Sequence, residues 1–299
     1  MNNFGRNIHD VRSGKINNYH CGNPLFSIII AVFNGESTLQ RCIDSIAKQT
    51  YTNIELIIID GGSTDGTIDL LNLNQDKIDY FVTEPDTGIY NAWNKGLSKT
   101  KGDWICFLGA DDFLWDSQVF ERIDFQLTVV PTSVRVIYGK MMVVSMKGES
   151  LYEIGDSWNK VKNRFKQVMC IPHPGTMHHH SLFDQNGYFD ESFRIAGDYE
   201  LLLRELKNGE AFYSGDNINV GMTQGGISSN PVNALLSLSE ARRAQRMHGL
   251  SIPMPFWLMA KLRVSIRLLL WQVLGDTITR KTLDMCRRVA GLPPFWTKT

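Results

Sequence analysis

The sequence predicts an α/β fold with a mostly parallel central sheet and flanking helices. Four short apolar runs, rich in β-branched residues, lie at 26–33, 54–60, 78–84 and 103–109. Continuous runs of this kind are typical of strands that are covered on both faces. Segments with the apolar spacing of amphipathic helices separate the runs. Because strands that alternate with helices form right-handed βαβ units, we expect these four strands to be parallel.

The connecting segments carry the helix signals in order along the chain. Residues 39–47 place their apolar side chains on one helical face, and residues 89–97 repeat that spacing. A turn rich in capping residues precedes a short helix predicted at 67–73. Beyond residue 115 the alternation weakens. There we expect strand structure at 134–144 and a turn-rich stretch at 187–209 that runs into a helix.

Polar clusters follow each of the four predicted strands. They are Asn34 with Glu36, the segment Asp60 to Asp65, the segment Glu84 to Asp86, and the adjacent pair Asp111 and Asp112. In sheets of this type, ligands bind outside the carboxyl ends of the strands. We therefore expect the four clusters to converge on one rim and to form a binding site.

Length and composition fit an ordinary globular protein of one large domain with an appendage. The chain has 299 residues, of which 43% are hydrophobic and 21% charged, and its net charge is zero. That zero hides an imbalance, because residues 241–299 carry eleven Lys and Arg against two acids, a charge of +9. The domains we predict are a loose leader at 1–24, a main domain at 25–235 that divides at 115/116, and a helical, cationic region at 236–299.

The five cysteines and the polar N-terminus favour a cytoplasmic location. Cys21, Cys42, Cys106, Cys170 and Cys286 show no paired spacing, which predicts neither a disulfide framework nor a zinc knuckle and favours a reducing compartment. Residues 1–24 lack the apolar core of a secretory signal. We expect the body of the protein to stay in the cytoplasm.

Two common phosphate-binding motifs are absent from the sequence. Neither the P-loop pattern nor the glycine-rich dinucleotide fingerprint follows a predicted strand. A bound phosphate would therefore need another source of positive charge. Carboxylates that hold Mg²⁺ or Mn²⁺ serve this purpose, since these cations take oxygen ligands from protein, phosphate and water.

Two long segments together resemble a known enzyme family. They are "FSIIIAVFNGESTLQRCIDSIAKQTYTNIELIIIDGGSTDGT" and "EPDTGIYNAWNKGLSKTKGDWICFLGADD". In this order they resemble the nucleotide-sugar-binding half of inverting glycosyltransferases of family 2, which have the GT-A fold, and especially bacterial enzymes that build surface polysaccharides. The resemblance covers roughly residues 25 to 230.

The resemblance implies roles for the strand-end residues. Asp60 occupies the position that contacts the nucleobase, and "GADD" stands where the family has its D-x-D motif. Asp112 would be the direct metal ligand, with Asp111 near the ribose and the metal. A solvated strand end is the alternative for this pair. The donor-binding residues that we predict are Val32, Asn34, Glu36, Asp60, Asp86, Asn94, Asp111 and His173.

The catalytic base implied by the resemblance is Asp198. It lies in "GYFDESFRIAGDYELLLR", at the start of a predicted helix, where the family has an acid that accepts the proton of the acceptor hydroxyl. The family's usual E-D pair is G-D here. A helix cap is the alternative role for Asp198, and the two roles can coexist. Residues 224–230 resemble a flexible loop that could close over the donor.

Histidine and tryptophan candidates have simpler alternatives. His173 is the histidine expected near the donor diphosphate or the acceptor. A zinc site at His178 to His180 is disfavoured, because successive strand residues point to opposite faces and the sequence offers no second ligand cluster. Trp93 lies on the apolar face of its helix and is expected in the core rather than under a sugar.

The segment 255–275 predicts a helix at the membrane surface rather than across it. Its apolar residues contribute about −3 to −6 kcal/mol to insertion, while Lys261, Arg263 and Arg267 each cost roughly 2.5 to 3.5 kcal/mol. The cations and the tryptophans near the ends favour contact with an anionic cytoplasmic leaflet. Packing on the catalytic domain or on a partner subunit is the alternative.

The sequence therefore predicts a metal-dependent inverting glycosyltransferase peripheral to the inner face of the bacterial membrane. It would use Mn²⁺ or Mg²⁺, a nucleotide-diphosphate sugar, most commonly a UDP-sugar, and a lipid-linked glycan acceptor. We expect no nucleic-acid partner, and a homo-oligomer is possible. The alternatives are a nucleotidyltransferase of similar fold, which would need a basic loop after the first strand, and a non-catalytic nucleotide-sugar-binding protein at the membrane.

Overall fold

A computed structural model of the chain describes residues 22–226, 233–250, 255–292 and 296–297. The strands are β1 Phe26–Val32, β2 Ile54–Asp60, β3 Tyr80–Thr83, β4 Trp104–Gly109, β5 Asp112–Leu114, β6 Val136–Val144, β7 Ser150–Ile154, β8 Met177–His179 and β9 Phe212–Thr223. The helices are α1 Leu39–Ala47, α2 Thr67–Leu73, α3 Ile89–Leu97, α4 Val119–Leu127, α5 Trp158–Phe165, α6 His180–Asn186, α7 Gly197–Leu206, α8 Ala234–Met247 and α9 Pro255–Val289.

Within the described residues, all nine strands join one sheet. Its order is β3-β2-β1-β4-β8-β6-β9-β5, and β7 pairs with β6. The first four strands are parallel, as predicted, and their register aligns the ends of β1 and β2 at Val32 and Asp60. The strands β8, β7 and β5 pair in antiparallel fashion, whereas β6 and β9 are parallel. The predicted α/β fold is confirmed, with antiparallel strands added to its parallel half.

Two hydrophobic clusters cover the two faces of the sheet. Ile28 and Ile30 of β1 face one cluster, which includes α1 and α4, while Ile29 faces the other, which includes α3 and α7. This division explains why the strand sequences are continuously apolar, since successive side chains enter opposite clusters. Trp93 is buried in the second cluster, which confirms its predicted place in the core.

The two C-terminal helices differ in how they pack. Ala244 of α8 is fully buried in the core, and Gln245 donates from Nε2 to the carbonyl of Gln167 at 2.8 Å, so α8 packs as part of the α/β body. The helix α9 contacts α8 and breaks at Gly275, where φ is 73°. Such a φ suits glycine because it has no Cβ. In the described part of the chain, no helix is both long and apolar enough to cross a membrane.

Candidate active site

The loops that follow β1 and β2 are joined by hydrogen bonds. The backbone N–H of Asn34 donates to Oγ of Ser63 at 2.7 Å, and Oδ1 of Asn34 accepts from the N–H of Thr64 at 2.8 Å. Asn34 has a φ of 52°, in the left-handed region that asparagine tolerates better than most residues. These bonds place two of the four predicted polar clusters side by side.

Glu36 extends this connection to the start of α2. Its Oε2 accepts from the N–H of Gly66 at 3.1 Å, and its own N–H donates to Oδ2 of Asp65 at 3.1 Å. A Cβ at Gly66 would lie 2.5 Å from the Glu36 carboxylate, so only glycine permits this approach. In the described structure Glu36 therefore organises the rim of the site.

Asp60 is completely buried at the end of β2. Its Oδ2 accepts from the backbone N–H groups of Gly62 and Ser63 at 3.3 and 3.1 Å, and its Oδ1 accepts from Oγ of Ser63. Asp86 lies against the same turn, since a Cβ at Gly61 would be 2.5 Å from Oδ2 of Asp86. The third polar cluster thus meets the second.

Asp111 and Asp112 follow β4 and turn their carboxylates toward Gly109. A Cβ at position 109 would lie 2.8 Å from Oδ1 of Asp111 and 3.1 Å from Oδ2 of Asp112, and the Gly109 N–H donates to that Oδ2 at 2.8 Å. Asp112 is buried, with 4% of its surface exposed. The alternative of a solvated strand end does not fit Asp112.

Arg41 is the cation beside this pair, and sequence reasoning missed it. Its Nη2 donates to the carbonyl oxygen of Asp111 at 2.8 Å and to Oγ1 of Thr223 at 2.6 Å. Its guanidinium also lies 4.4 Å from the centre of the Phe113 ring. Arg41 therefore holds the backbone of the acidic segment. Its positive charge also opposes, without cancelling, the rise that burial causes in the pKa of both carboxyls.

The acidic pair has the character of an incomplete cation site. Burial, and then the negative charge of Asp111, raise the pKa of Asp112 to about 8, and burial raises the pKa of Asp111. Two carboxylates that face one glycine without a full counter-charge fit a divalent cation. In the described residues, no group of three His, Cys, Asp or Glu side chains could hold a metal ion. Further ligands would have to come from a bound phosphate and water.

Asp198 lies in the first turn of α7 with a different environment. Its Oδ1 accepts from the N–H of Tyr199 at 2.8 Å and from the hydroxyl of Tyr90 at 3.3 Å. Burial raises the pKa of Asp198 to about 6, and the hydrogen bonds partly oppose that effect. A carboxylate with a pKa near 6 can take up and release a proton close to neutral pH.

Tyr90 explains why glycine precedes Asp198. A Cβ at Gly197 would lie 2.8 Å from Cε2 of the Tyr90 ring, closer than two carbon atoms can pack. The single hydroxyl proton of Tyr90 is shared between Asp198 and the carbonyl of Ile195, which is the closer acceptor at 2.6 Å. The ring thus occupies the space of a side chain at position 197, and Tyr90 connects the segment after Asp86 with the predicted base.

Glu240 of α8 fixes the loop that leads into α7. Its Oε1 accepts from the N–H of Arg194 at 2.9 Å, and its Oε2 accepts from the N–H groups of Ile195 and Ala196 at 2.8 and 3.0 Å. Its negative charge contributes to the raised pKa of Asp198. This contact could not be predicted from the sequence, because Glu240 lies within the predicted C-terminal region.

Three of the predicted donor-binding residues have their side chains engaged elsewhere. Val32 is buried in the core. The Asn94 side chain donates to the Phe189 carbonyl and accepts from the Phe189 N–H, both at 3.0 Å, and it donates to Oε1 of Glu191 at 2.8 Å. His173 is buried against the rings of Trp93 and Phe107, which also contact each other. The structure does not bring these side chains to the rim.

The remaining histidines and the glycine loop can be placed in part. His178 is buried, His179 caps α6 by accepting from the N–H of Ser181, and His180 is the first residue of α6, which fits structural roles.

Of the predicted loop at 224–230, residues 227–230 lie outside the described residues. A Cβ at Gly226 would lie 4.0 Å from Oδ2 of Asp111, so the described start of the loop reaches the acidic pair.

Comparison with known proteins identifies the family. Residues 27–185, more than half of the chain, match the model of Glycosyl transferase family 2. The chain belongs to this family. A PGL/p-HBAD biosynthesis glycosyltransferase of Mycobacterium bovis is 31% identical over 188 residues, which are 62% of this chain and 71% of that protein. An uncharacterized glycosyltransferase of Rickettsia typhi is 31% identical over 64% of this chain and 61% of its own length.

Two solved structures share the fold of this glycosyltransferase. TarS 1–349 of S. aureus, crystallised with UDP-GlcNAc, superimposes with a TM-score of 0.60 at 17% identity and covers 88% of this chain and 73% of its own. The mannosyltransferase PcManGT of Pyrobaculum calidifontis, in complex with GDP-Man and Mn²⁺, has a TM-score of 0.58 at 13% identity and covers 95% and 86% of the two chains. At these identities the likeness concerns the fold alone.

Proposed function

We propose that this family member is an inverting glycosyltransferase that uses a nucleotide-diphosphate sugar and a divalent cation. The observation that carries the proposal is the presence, at one end of the sheet, of two acidic sites with different environments. Asp111 and Asp112 form a close pair with raised pKa values, whereas Asp198 is a single carboxylate whose pKa of about 6 suits a base. The TarS and PcManGT structures named above, which contain UDP-GlcNAc and GDP-Man, support a sugar nucleotide as donor.

In this mechanism Asp198 accepts the proton of the acceptor hydroxyl. Among the described residues, both hydrogen bonds to its carboxylate go to Oδ1, so Oδ2 is the oxygen that we assign to accept the proton. The deprotonated hydroxyl then attacks the anomeric carbon in line with the departing diphosphate. Tyr90 and the N–H of Tyr199 hold the carboxylate in place, so its orientation is set before the acceptor binds.

The donor is held at the rim formed by the strand-end loops. Asp60 would contact the nucleobase, and Asn34, Glu36 and Asp86 would shape the surface beneath the nucleotide. Asp111 and Asp112 would hold Mn²⁺ or Mg²⁺, which when bound supplies positive charge against the diphosphate leaving group. Arg41 keeps the backbone of that acidic segment fixed.

A donor panel tests the proposal directly. The full chain is incubated with UDP-, GDP- and dTDP-sugars, with Mn²⁺ or with EDTA, and both thermal stabilisation and donor consumption are measured. We expect one sugar nucleotide to stabilise the protein and to be slowly hydrolysed, with both effects lost in EDTA. Stabilisation without any consumption would favour the non-catalytic binding protein, and no effect of any donor would contradict the proposal.

Glu240 is expected to tune the base. Replacing Glu240 with Gln removes a negative charge near Asp198, so the pKa of Asp198 falls and the acidic limb of the pH–rate profile moves to lower pH. The free energy of unfolding should fall by roughly 1–3 kcal/mol, because an amide NH₂ now faces backbone N–H donors. Glu205→Gln, which removes a buried carboxylate bound to Arg135, is the control. Glu205→Gln should lower the free energy of unfolding but leave the acidic limb of the pH–rate profile where it is.

We further propose that the acceptor is a lipid-linked glycan of a bacterial surface polysaccharide and that α9 lies on an anionic membrane surface. One stripe of α9 exposes apolar side chains, each at least half exposed, at the spacing of a single helical face: Leu258, Leu262, Ile266, Leu269 and Val273. Lys261 and Arg263 are exposed beside this stripe. Apolar residues with flanking cations are the pattern of a helix at a membrane interface.

Vesicle binding tests the role of this stripe. The double variant Leu262→Glu/Ile266→Glu should lower the partition of the protein onto phosphatidylglycerol vesicles by at least about tenfold, since it removes apolar contacts and adds repulsive charge. Leu73→Glu/Phe125→Glu makes the same change at exposed sites on α2 and α4 and should have little effect. Equal partition of both double variants would refute the assignment of α9.

A further inference from the structure

An open groove lies between α8 and the first turns of α9, away from the strand-end loops. Its volume is about 670 Å³. Leu235, Leu238 and Trp257 give it apolar walls, and the described side chains that line it include three cations, Arg242, Arg246 and Lys261, but no carboxylate. A cavity with this lining differs from the acidic rim in both charge and hydrophobicity.

The groove is built by the outer face of α8. Leu238, Arg242 and Arg246 recur at intervals of four residues and therefore share one side of the helix. On the opposite side, Glu240 and Ala244 pack into the catalytic body. The Nε1 of Trp257 donates to the Leu238 carbonyl at 2.9 Å, which fixes the width of the groove at that point.

The three cations occupy different depths. Arg242 is buried, with its Nη1 donating to the Leu250 carbonyl at 2.6 Å, so it lies at the floor. Arg246 and Lys261 are exposed at the edges, and Nζ of Lys261 lies 5.3 Å from the centre of the Trp257 ring. Like charges gathered around an apolar cavity repel one another, and a bound anion would offset that repulsion.

The geometry points to an amphiphilic anion as the ligand. We propose that the groove binds the phosphate end of the lipid that carries the acceptor glycan. The phosphate contacts Arg246 and Lys261, and the first hydrocarbon units lie against Leu235, Leu238 and Trp257. This inference rests on the proposed lipid-linked acceptor and deepens it by naming the residues that hold the lipid.

The place of the groove relative to Asp198 supports this assignment. Glu240, on the opposite side of α8, binds the loop that leads to Asp198. The thickness of one helix, about 10 Å, therefore separates the groove from that loop. A glycan joined to a lipid phosphate in the groove could extend around α8 to present its terminal hydroxyl to the base.

Calorimetric titration of the full chain with farnesyl phosphate tests the inference. We expect measurable binding of farnesyl phosphate, and affinities at least about tenfold weaker for farnesol, which lacks the charge, and for inorganic phosphate, which lacks the hydrocarbon. Arg246→Gln/Lys261→Gln should weaken the binding of farnesyl phosphate about tenfold. The control Lys281→Gln/Arg288→Gln removes the same charges from exposed sites after Gly275 and should leave the affinity unchanged.

Several outcomes would overturn this site. If both double variants lost the same affinity for farnesyl phosphate, diffuse charge rather than the groove would attract the ligand. If farnesol bound as tightly as farnesyl phosphate, the groove would be an apolar cleft. If inorganic phosphate bound as tightly, it would be a simple anion site. Absence of farnesyl phosphate binding would also contradict it. Stabilisation by the sugar nucleotide and Mn²⁺, measured on the same samples, keeps the two questions apart. If the sugar nucleotide and Mn²⁺ did not stabilise the wild-type protein, the proposed function would be contradicted. If they did, but farnesyl phosphate did not bind, only the assignment of the groove would be contradicted.

Discussion

Replacing Asp198 with Asn should lower the rate of glycosyl transfer by about 10²- to 10⁴-fold, the usual contribution of a positioned general base. The side chain keeps its shape, and Oδ1 can still accept from Tyr90 and from the N–H of Tyr199, so the fold should persist. The amide cannot take up the proton of the acceptor hydroxyl. Steady-state transfer assays at saturating donor measure the effect.

The pH dependence of the wild-type enzyme gives a second measure of the same residue. Burial raises the pKa of Asp198 to about 6, and a base works only when it is deprotonated. The rate should therefore decline as the pH falls through about 6, and this limb should be absent from the residual activity of the Asn variant. If the Asp198→Asn variant bound donor normally and transferred the sugar at the wild-type rate, Asp198 would not be the base.

Replacing Asp112 with Asn should abolish the Mn²⁺-dependent stabilisation by the sugar nucleotide and reduce transfer to near background. A neutral amide is a poor ligand for Mn²⁺ or Mg²⁺, and these cations need the carboxylate to stay near the diphosphate. The backbone bond from Gly109 can still reach the amide oxygen, so the loss would be one of metal binding rather than of local structure. Thermal shift with and without Mn²⁺ reports the change.

The same substitution should stabilise the metal-free protein at pH 8. The pKa of Asp112 in the fold is raised to about 8, so the folded state holds a proton that the unfolded chain releases near pH 4. Wild-type stability should therefore decline as the pH rises from about 4 to 8, and Asn removes that loss. A gain of roughly 1–3 kcal/mol at pH 8, shrinking toward pH 4, is expected in chemical denaturation. An equal loss at both pH values would contradict the buried acidic pair.

The parallel half of the fold could be predicted because its strands are long, apolar and separated by turn-forming polar clusters. The predicted strand at 54–60 and the helices at 67–73 and 89–97 have the observed bounds. The strands β5 and β8 contain three residues each, which is too short for a periodic pattern. The pairing of β6 with β9 joins distant segments, and no local signal specifies it.

Candidate site residues could be proposed from strand ends in the sequence, and Asp198 from the family resemblance alone. Asn34, Glu36, Asp60, Asp86, Asp111 and Asp112 could be proposed together because the ends of parallel strands meet at one edge. Arg41, Tyr90 and Glu240 act through tertiary contacts with segments far from them in the sequence. For His173 a motif predicts a place near the donor, whereas in the structure the side chain is buried and burial lowers its pKa well below the usual range.

The anomeric configuration of the product tests the central claim most directly. NMR of the glycoside formed from an α-linked sugar nucleotide reads this configuration from the one-bond C–H coupling constant at the anomeric carbon. A single base at Asp198 and in-line displacement of the diphosphate predict a β-linked product. An α-linked product would require a different reaction course and would contradict the role assigned to Asp198.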